Sequence, residues 1–157
     1  MKTRRLDIGI ILTGPDLTPL AELACAIWQP EDILARMEPF VREMHTRSGL
    51  LDRVRASHAT VRDAERDALA LISQHCKFRE GILAGNSIHV DRSFLVRYLP
   101  HLENYLHYRQ VDVSTLKVLT RAWYPTTAAF EKPDKTHTVL NDLRQSLQEL
   151  AYYRTRF

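Results

Sequence analysis

The sequence lacks any long apolar run, and this absence excludes a membrane-spanning helix. A span needs about 18 or more consecutive apolar residues, and every hydrophobic stretch among the 157 residues is shorter. The N-terminus is basic, but the apolar segment after it contains Asp7 and lacks a small-residue cleavage site, so we expect no signal peptide. Repeats, low-complexity segments and linkers are also missing, which favours one domain over residues 1–157.

Cysteine is nearly absent as well. Cys25 and Cys76 have neither metal-like spacing nor an accompanying histidine pattern, so we expect two reduced, buried thiols in a cytoplasmic protein. Neither sign of charge dominates, because the net charge is +3 and the isoelectric point is about 9.0. This mild basicity is compatible with a nucleic-acid ligand but does not indicate one by itself.

Hydrophobic periodicity predicts alternating strands and helices. Strands are predicted at 6–12, 21–28, 82–84 and 108–113. Helices are predicted at 30–42 and 91–98, and a last helix is predicted after 137. A further helix should begin at Thr60, which forms a capping box with Asp63, and another should run from a cap at Ser114 to 123. The last helix should bury one apolar face, formed by Val139, Leu140, Leu143, Leu147, Leu150 and Ala151. Such alternation predicts an α/β fold.

Two carboxylates and a histidine suggest phosphodiester chemistry. Asp91 lies in GNSIHVDRSF, and His137 precedes Asp142 by five residues in THTVLNDLRQ. Five residues correspond to about 140° of helical rotation, so we expect His137 in the turn ahead of the helix, leaning over Asp142. Carboxylates that hold Mg²⁺ or Mn²⁺, with a histidine that deprotonates water, are the groups of two-metal phosphodiesterases. That chemistry needs more carboxylates than these two.

Each of these three residues also has a purely structural interpretation, which the sequence leaves open. Asp91 could cap the helix that it begins, because a carboxylate near a helix N-terminus is favourable. Asp142 could be a solvated residue in the first turn of the last helix, and His137 an ordinary surface histidine.

Taken together, the motifs resemble oligoribonucleases of the DEDDh 3′–5′ exonuclease superfamily. The matching segments are MHTRSGLLDRVRAS, GNSIHVDRSF, YLPHLENYLHYRQVDVSTLK, HTVLNDLRQS and LAYYR. The resemblance implies an α/β, ribonuclease-H-like fold with a mixed central sheet flanked by helices. It also implies a homodimer that hydrolyses short 5′-phosphorylated RNA, chiefly dinucleotides. In such a protein two Mg²⁺ or Mn²⁺ ions are held by residues that include Asp91 and Asp142, and His137 is the catalytic base.

The family's first strand, which carries an Asp-x-Glu pair before a Thr-Gly turn, has no counterpart here. The segment RRLDIGIILTGPDLTPLAE resembles the second strand and the following hairpin, so we expect weak metal binding and impaired hydrolysis. Three functions stay open: an exoribonuclease, a non-catalytic oligonucleotide-binding relative and a dimeric interaction module. An alternative alignment, with Asp7 as the first acid and Gly9 in place of the glutamate, leaves too little chain before His45 for the family's elements.

Ser87, Arg109, Ser114 and Thr115 form a candidate phosphate site. Hydroxyl groups and a guanidinium at the ends of strands and helices suit a terminal phosphate, and the free N–H groups of a helix start near Ser114 add donors. By resemblance, these positions cap the 5′ phosphate and limit the substrate to dinucleotides. The alternative is that Ser114 and Thr115 only cap their helix.

Three ring-bearing side chains are candidates for contacts with the bases of a bound nucleotide. By resemblance, His45 contacts the 3′ side of the substrate, and Phe40 stands where the family usually has tryptophan. Tyr108 matches a tyrosine that reaches into the site of the neighbouring subunit, which implies composite sites in a homodimer. The sequence also permits Phe40 to be an ordinary core residue.

Overall fold

The computed structural model describes residues 6–133 and 137–157. Its strands are β1 (Asp7–Thr13), β2 (Pro19–Ala26), β3 (Leu83–Gly85) and β4 (Gln110–Asp112). Its helices are α1 (Glu31–Ala35), α2 (Pro39–Arg47), α3 (Leu50–Ala56), α4 (Val61–Ser73), α5 (Ile88–Tyr98), α6 (Pro100–Tyr105), α7 (Val113–Trp123) and α8 (Val139–Arg154). The predicted α/β class is confirmed.

The first two strands form an antiparallel hairpin. Ile10 pairs with Leu23, and the register shifts by a bulge after Leu12. The connecting turn is closed by Asp16, whose carboxylate accepts hydrogen bonds from the N–H and the hydroxyl of Thr18 at 3.0 and 2.8 Å. Strands were predicted at 6–12 and 21–28, and the resemblance implied a hairpin here; both predictions are confirmed.

The other two strands run parallel, with Leu83 opposite Gln110 and Gly85 opposite Asp112. Antiparallel and parallel pairing therefore both occur among the described residues, but not in the single mixed central sheet that the resemblance implied. Within the described residues the two strand pairs form separate two-stranded sheets. Helix α8 packs against both β1 and β3, so it joins the two sheets on one face.

The helices differ from the prediction where proline is involved. A single helix over 30–42 is wrong, because the chain breaks after Ala35 and Pro39 starts α2. Pro100 likewise starts α6 and does not merely end the helix before it. Proline suits a first helical turn, since it lacks only an N–H that would have no partner there. The capping box of Thr60 and Asp63 is present at the start of α4, as predicted.

The main core lies between α4, α5, α6 and one face of β1. Its buried members are Ala68, Ile72, Leu95, Leu99, Leu102 and Leu106, and the apolar side chains of Ile8, Ile10 and Leu12 pack against them. Because side chains alternate along a strand, Gly9 points to the opposite face, towards α8. Both faces of β1 are thus covered by helices.

Helix α8 buries a different face from the predicted one. The six predicted apolar residues are only half-buried, whereas the buried residues are Gln145, Glu149 and Tyr153. The predicted apolar face is only half-covered by the narrow β1–β2 hairpin. The face that carries Gln145, Glu149 and Tyr153 points inward, where Asn86 of the β3–α5 turn donates a hydrogen bond to Glu149. Hydrophobic periodicity alone could not predict which face of α8 is buried, because a polar residue is buried only where the fold supplies hydrogen-bond partners for it.

Both cysteines are free, but they are half-buried, so the prediction that they are buried is wrong. Burial raises the pKa of the Cys25 and Cys76 thiols, which keeps them protonated at neutral pH. None of the helices in the described ranges combines the length and the apolar character needed to cross a membrane.

Candidate active site

The ends of β3 and β4 bring Ser87 and Ser114 together. Because the two strands are parallel and Gly85 pairs with Asp112, the residues that follow each strand lie at the same edge. The backbone N–H of Ser87 donates to Ser114 Oγ at 3.1 Å, and the two hydroxyl oxygens are 3.5 Å apart. Two of the four predicted phosphate-binding residues are therefore adjacent.

Ser87 has a strained backbone. Its φ of +52° lies in the left-handed region, which costs a residue other than glycine about 1–3 kcal/mol. Its N–H also donates to Asp112 Oδ1 at 2.9 Å, so a carboxylate and a hydroxyl together hold the turn. Such strain concentrates at binding and catalytic sites, and the Ser87 side chain is exposed to solvent.

Helix α7 is capped by Asp112, so the predicted capping role of Ser114 is wrong. Asp112 Oδ1 accepts the Ser114 N–H at 2.9 Å, and the helix begins at Val113. The hydroxyl of Ser114 instead donates to Asn86 Oδ1 at 3.2 Å. A usable signal for Asp112 was present, because aspartate is a preferred N-cap residue and this one directly precedes the helix.

Tyr108 and Arg109 lie in the exposed segment just before β4. The Arg109 guanidinium carbon is 5.4 Å from the centroid of the Tyr108 ring, which itself stacks on His107 at a centroid distance of 4.5 Å. Arg92 of α5 donates to the carbonyl oxygens of Tyr108 and His107, each at 2.8 Å. Arg92 therefore fixes the segment that carries the predicted phosphate and base contacts, a role that sequence reasoning missed.

The predicted acids lie in the first turns of two helices. Asp91 is half-buried in α5, and Asp142 is exposed in α8. His137 is exposed one residue ahead of Thr138, the residue that caps α8, so it precedes the helix as predicted. Asp91 does not cap its helix, because Ser87 occupies the N-cap position.

These acids do not by themselves make a two-metal centre. Within residues 6–133 and 137–157, no group of three or more His, Cys, Asp or Glu side chains is placed to hold a metal ion. A close pair of dications shares several oxygen ligands, whereas a single Mg²⁺ is commonly bound through about one or two carboxylates and keeps its remaining waters. The described donors fit at most one such hydrated ion.

Helix α2 carries the other two predicted base contacts. Phe40 is 77% exposed, so its interpretation as a core residue is wrong. His45 is half-buried, and burial lowers the pKa of its imidazole, while the carboxylate of Asp7 acts in the opposite direction. A lowered pKa keeps His45 neutral at pH 7, so that it can both donate and accept a hydrogen bond. Thr115 is exposed in the first turn of α7.

Sequence comparisons agree with the α/β fold. The exonuclease family RNase T matches residues 1–150, and the chain belongs to this family. Within it, the chain is similar to the oligoribonuclease of Paracidovorax citrulli, with 44% identity over 154 residues that cover 98% of this chain and 80% of the relative.

The similarity extends to oligoribonucleases of other bacteria. The protein of Pseudomonas aeruginosa is 44% identical over 153 residues, covering 97% of this chain and 85% of the relative. The protein of Halorhodospira halophila is 42% identical over 157 residues, covering 99% of this chain and 86% of the relative. The resemblance read from the motifs is thereby confirmed.

Proposed function

We propose that the chain is an oligoribonuclease-like 3′–5′ exoribonuclease that acts on short 5′-phosphorylated RNA, chiefly dinucleotides. The observation that carries this proposal is the Ser87–Ser114 pair. Two hydroxyls sit at the junction of two parallel strands with two helices, within a chain similar to oligoribonucleases over nearly its whole length. We further propose a single domain over residues 1–157 and a cytoplasmic location.

The 5′ phosphate binds where α7 begins. Ser87 and Thr115 are exposed and can donate their hydroxyl hydrogens to phosphate oxygens. Ser114 accepts the backbone N–H of Ser87 on its hydroxyl oxygen and so holds Ser87 in place. Arg109 is also exposed, and its planar guanidinium can donate two parallel hydrogen bonds to one phosphate. A dinucleotide held at this end presents its single phosphodiester to the acids at the other end.

The base contacts are distributed over two subunits. Phe40 offers an exposed ring for stacking, and the neutral imidazole of His45 offers a hydrogen bond near the 3′ end. We propose that Tyr108, which is 66% exposed, reaches the site of a second copy in a homodimer. Sedimentation at tens of micromolar should show a dimer, and a monomer would remove Tyr108 from the site.

The chemistry requires a divalent ion, Mg²⁺ or Mn²⁺, which polarises the scissile phosphate and lowers the pKa of an attacking water. Asp91 and Asp142 would hold it. His137, exposed ahead of α8, accepts the proton of the attacking water on an imidazole nitrogen. Since the described residues do not fit two ions, we propose that hydrolysis by this chain is impaired relative to a protein with more carboxylates.

A dinucleotide assay tests the phosphate site. A 5′-phosphorylated RNA dinucleotide should bind more tightly than its unphosphorylated form, because hydrogen bonds to a charged group contribute roughly 1.5–3 kcal/mol. Arg109→Ala should remove most of this difference. Arg97→Ala is the matched control, since Arg97 also lies 5.3 Å from a tyrosine ring but at the far end of α5. Equal effects of the two variants would contradict the proposed role of Arg109.

A second assay tests the impairment. Hydrolysis of the same dinucleotide should be far slower than that by a variant with an Asp-x-Glu strand added before Met1. Neither β1 nor β3 pairs with a further strand in the described part of the chain, which leaves edges for an added strand. His137→Ala should lower the rate in the extended variant alone. Ordinary turnover by the parent chain that is abolished by His137→Ala would refute the impairment.

A non-catalytic oligonucleotide-binding protein is the second candidate. It is favoured by two observations: Ser87 and Ser114 lie in contact, whereas the acids form no group of three within the described residues. The two candidates differ in one outcome. If the extended variant binds the dinucleotide but hydrolyses it no faster than the parent chain, the binding function is correct. If neither chain binds it, both candidates are wrong and the interaction module becomes the function to test.

A further inference from the structure

Asn86, in the turn between β3 and α5, connects three elements through its side-chain amide. Its Nδ2 donates to Ser146 Oγ at 3.0 Å and to Glu149 Oε2 at 3.1 Å, both on α8. Its Oδ1 accepts the hydroxyl hydrogen of Ser114 on α7 at 3.2 Å. The amide therefore links the serine pair to the interior of α8.

Glu149 is an unusual residue for this position, because its carboxylate is almost fully buried at 1% exposure. A buried charge is costly unless hydrogen bonds and a counter-charge compensate for it. Here Tyr153 donates its hydroxyl to Oε1 at 3.2 Å, Asn86 donates to Oε2, and the Lys117 ammonium lies 3.9 Å from Oε1. An apolar residue would fill the same space without these requirements.

The carboxylate determines which way the amide of Asn86 points. An ionised carboxylate only accepts hydrogen bonds, so the NH₂ group of Asn86 must face Glu149. The amide oxygen is then forced to face Ser114 and fixes the position of that hydroxyl. Ser114 Oγ in turn accepts the N–H of Ser87. Without the charge at Glu149, nothing in this chain of contacts distinguishes the two orientations of the amide.

We propose that Glu149 and Asn86 are positioning residues of the 5′-phosphate site. Glu149 acts from the interior of α8, through Asn86, to fix the Ser114 hydroxyl, which in turn holds Ser87 at the phosphate. The inference rests on the proposed function and deepens it, because it assigns the precision of phosphate recognition to a buried charge that does not touch the ligand.

The test compares binding of the RNA dinucleotide pApA with that of ApA, in EDTA to prevent turnover. The measured quantity is the dissociation constant of ApA divided by that of pApA, a ratio that is larger the more the 5′ phosphate strengthens binding. Glu149→Gln should lower this ratio about tenfold, which is the effect of one hydrogen bond to a charged group. The melting temperature should stay the same or rise, because a neutral amide is easier to bury and Lys117, with its side chain 39% exposed, is left solvated.

Tyr153→Phe is the matched control. It removes the other hydrogen bond to the same carboxylate but leaves the one from Asn86 in place. This variant should keep the parent ratio even though it loses a buried hydrogen bond. If Glu149 had a purely structural role, the ratio would instead fall with the stability of each variant, and Tyr153→Phe would lower it more than Glu149→Gln.

Asn86→Ala is the second test, and it does not depend on how Glu149→Gln folds. It removes the link itself and should lower the ratio as much as Glu149→Gln does. A folded Glu149→Gln or Asn86→Ala variant with the parent ratio would overturn the positioning role while leaving the phosphate site intact. A parent chain with equal affinity for pApA and ApA would overturn the phosphate site, and this inference with it.

Discussion

Gly9→Ala should destabilise the protein by forcing β1 away from α8. A Cβ at this position would lie 2.5 Å from Val139 Cγ2 and 2.9 Å from Leu143 Cδ1. Both distances are shorter than van der Waals contact, and both neighbours belong to the first turns of α8. The same turns carry Asp142, so a displaced helix would also move a proposed metal ligand.

The expected magnitude follows from two opposing effects. Overpacking of a close contact costs about 1–3 kcal/mol. Replacing glycine in a strand by alanine stabilises the folded state by about 0.5–1 kcal/mol, because alanine loses less conformational freedom on folding. Because two contacts are shorter than 3.0 Å, the cost should lie in the upper part of its range, at about 2–3 kcal/mol. The net loss should then be about 1–2.5 kcal/mol, which lowers the melting temperature of a protein of this size by about 2–10 °C.

A double-mutant cycle with Val139→Ala measures this contact. Thermal and urea unfolding of both single variants and the double variant should give a coupling energy of about 0.5–3 kcal/mol, because Val139→Ala removes the nearest methyl groups. Gly81→Ala is the comparison, since its added Cβ meets only Cys76 Sγ at 3.1 Å and Leu106 Cδ2 at 3.4 Å. If Gly9→Ala leaves stability unchanged or raises it, the close packing of α8 on β1 is refuted.

Three further predictions concern pH, capping and metal. Burial, and then the charge of Glu149, raise the pKa of Tyr153 to about 12. As pH rises, the unfolded chain loses this proton before the folded protein does, so about 2–3 kcal/mol of stability should be lost between pH 10 and 12. Urea unfolding should show a smaller loss for Tyr153→Phe than for the parent chain. An equal loss in the two proteins would contradict the role of Tyr153. Thr60→Ala should cost about 0.5–2 kcal/mol in the same assay by breaking the capping box with Asp63, and an unchanged midpoint would exclude that contribution. Calorimetry with Mn²⁺ and no nucleotide should show no tight two-site binding, whereas two stoichiometric sites at low micromolar affinity would show that the acids lie elsewhere.

Local signals in the sequence predicted those parts of the fold that neighbouring residues determine. The β1–β2 hairpin follows from an apolar strand and a turn closed by Asp16 and Thr18, and the start of α4 follows from a capping box. Each involves residues close in the chain, so their interactions form with little loop entropy. Helices α3 and α6 were missed because they are short, and because Pro100 predicts a helix end as readily as a helix start.

The candidate site was predictable as a set of residues but not as an arrangement. The sequence by itself determined that Ser87 and Ser114 each follow a predicted strand, that His137 precedes the last helix and that few carboxylates accompany them. Only the tertiary structure decided that Arg92 holds the segment of Tyr108 and that Glu149 is buried beside Asn86. Periodicity reports how apolar a position is, whereas a polar residue is buried only where distant parts of the chain supply its hydrogen-bond partners. Those partners come from residues more than about 12 positions away, which is the information that a local pattern lacks.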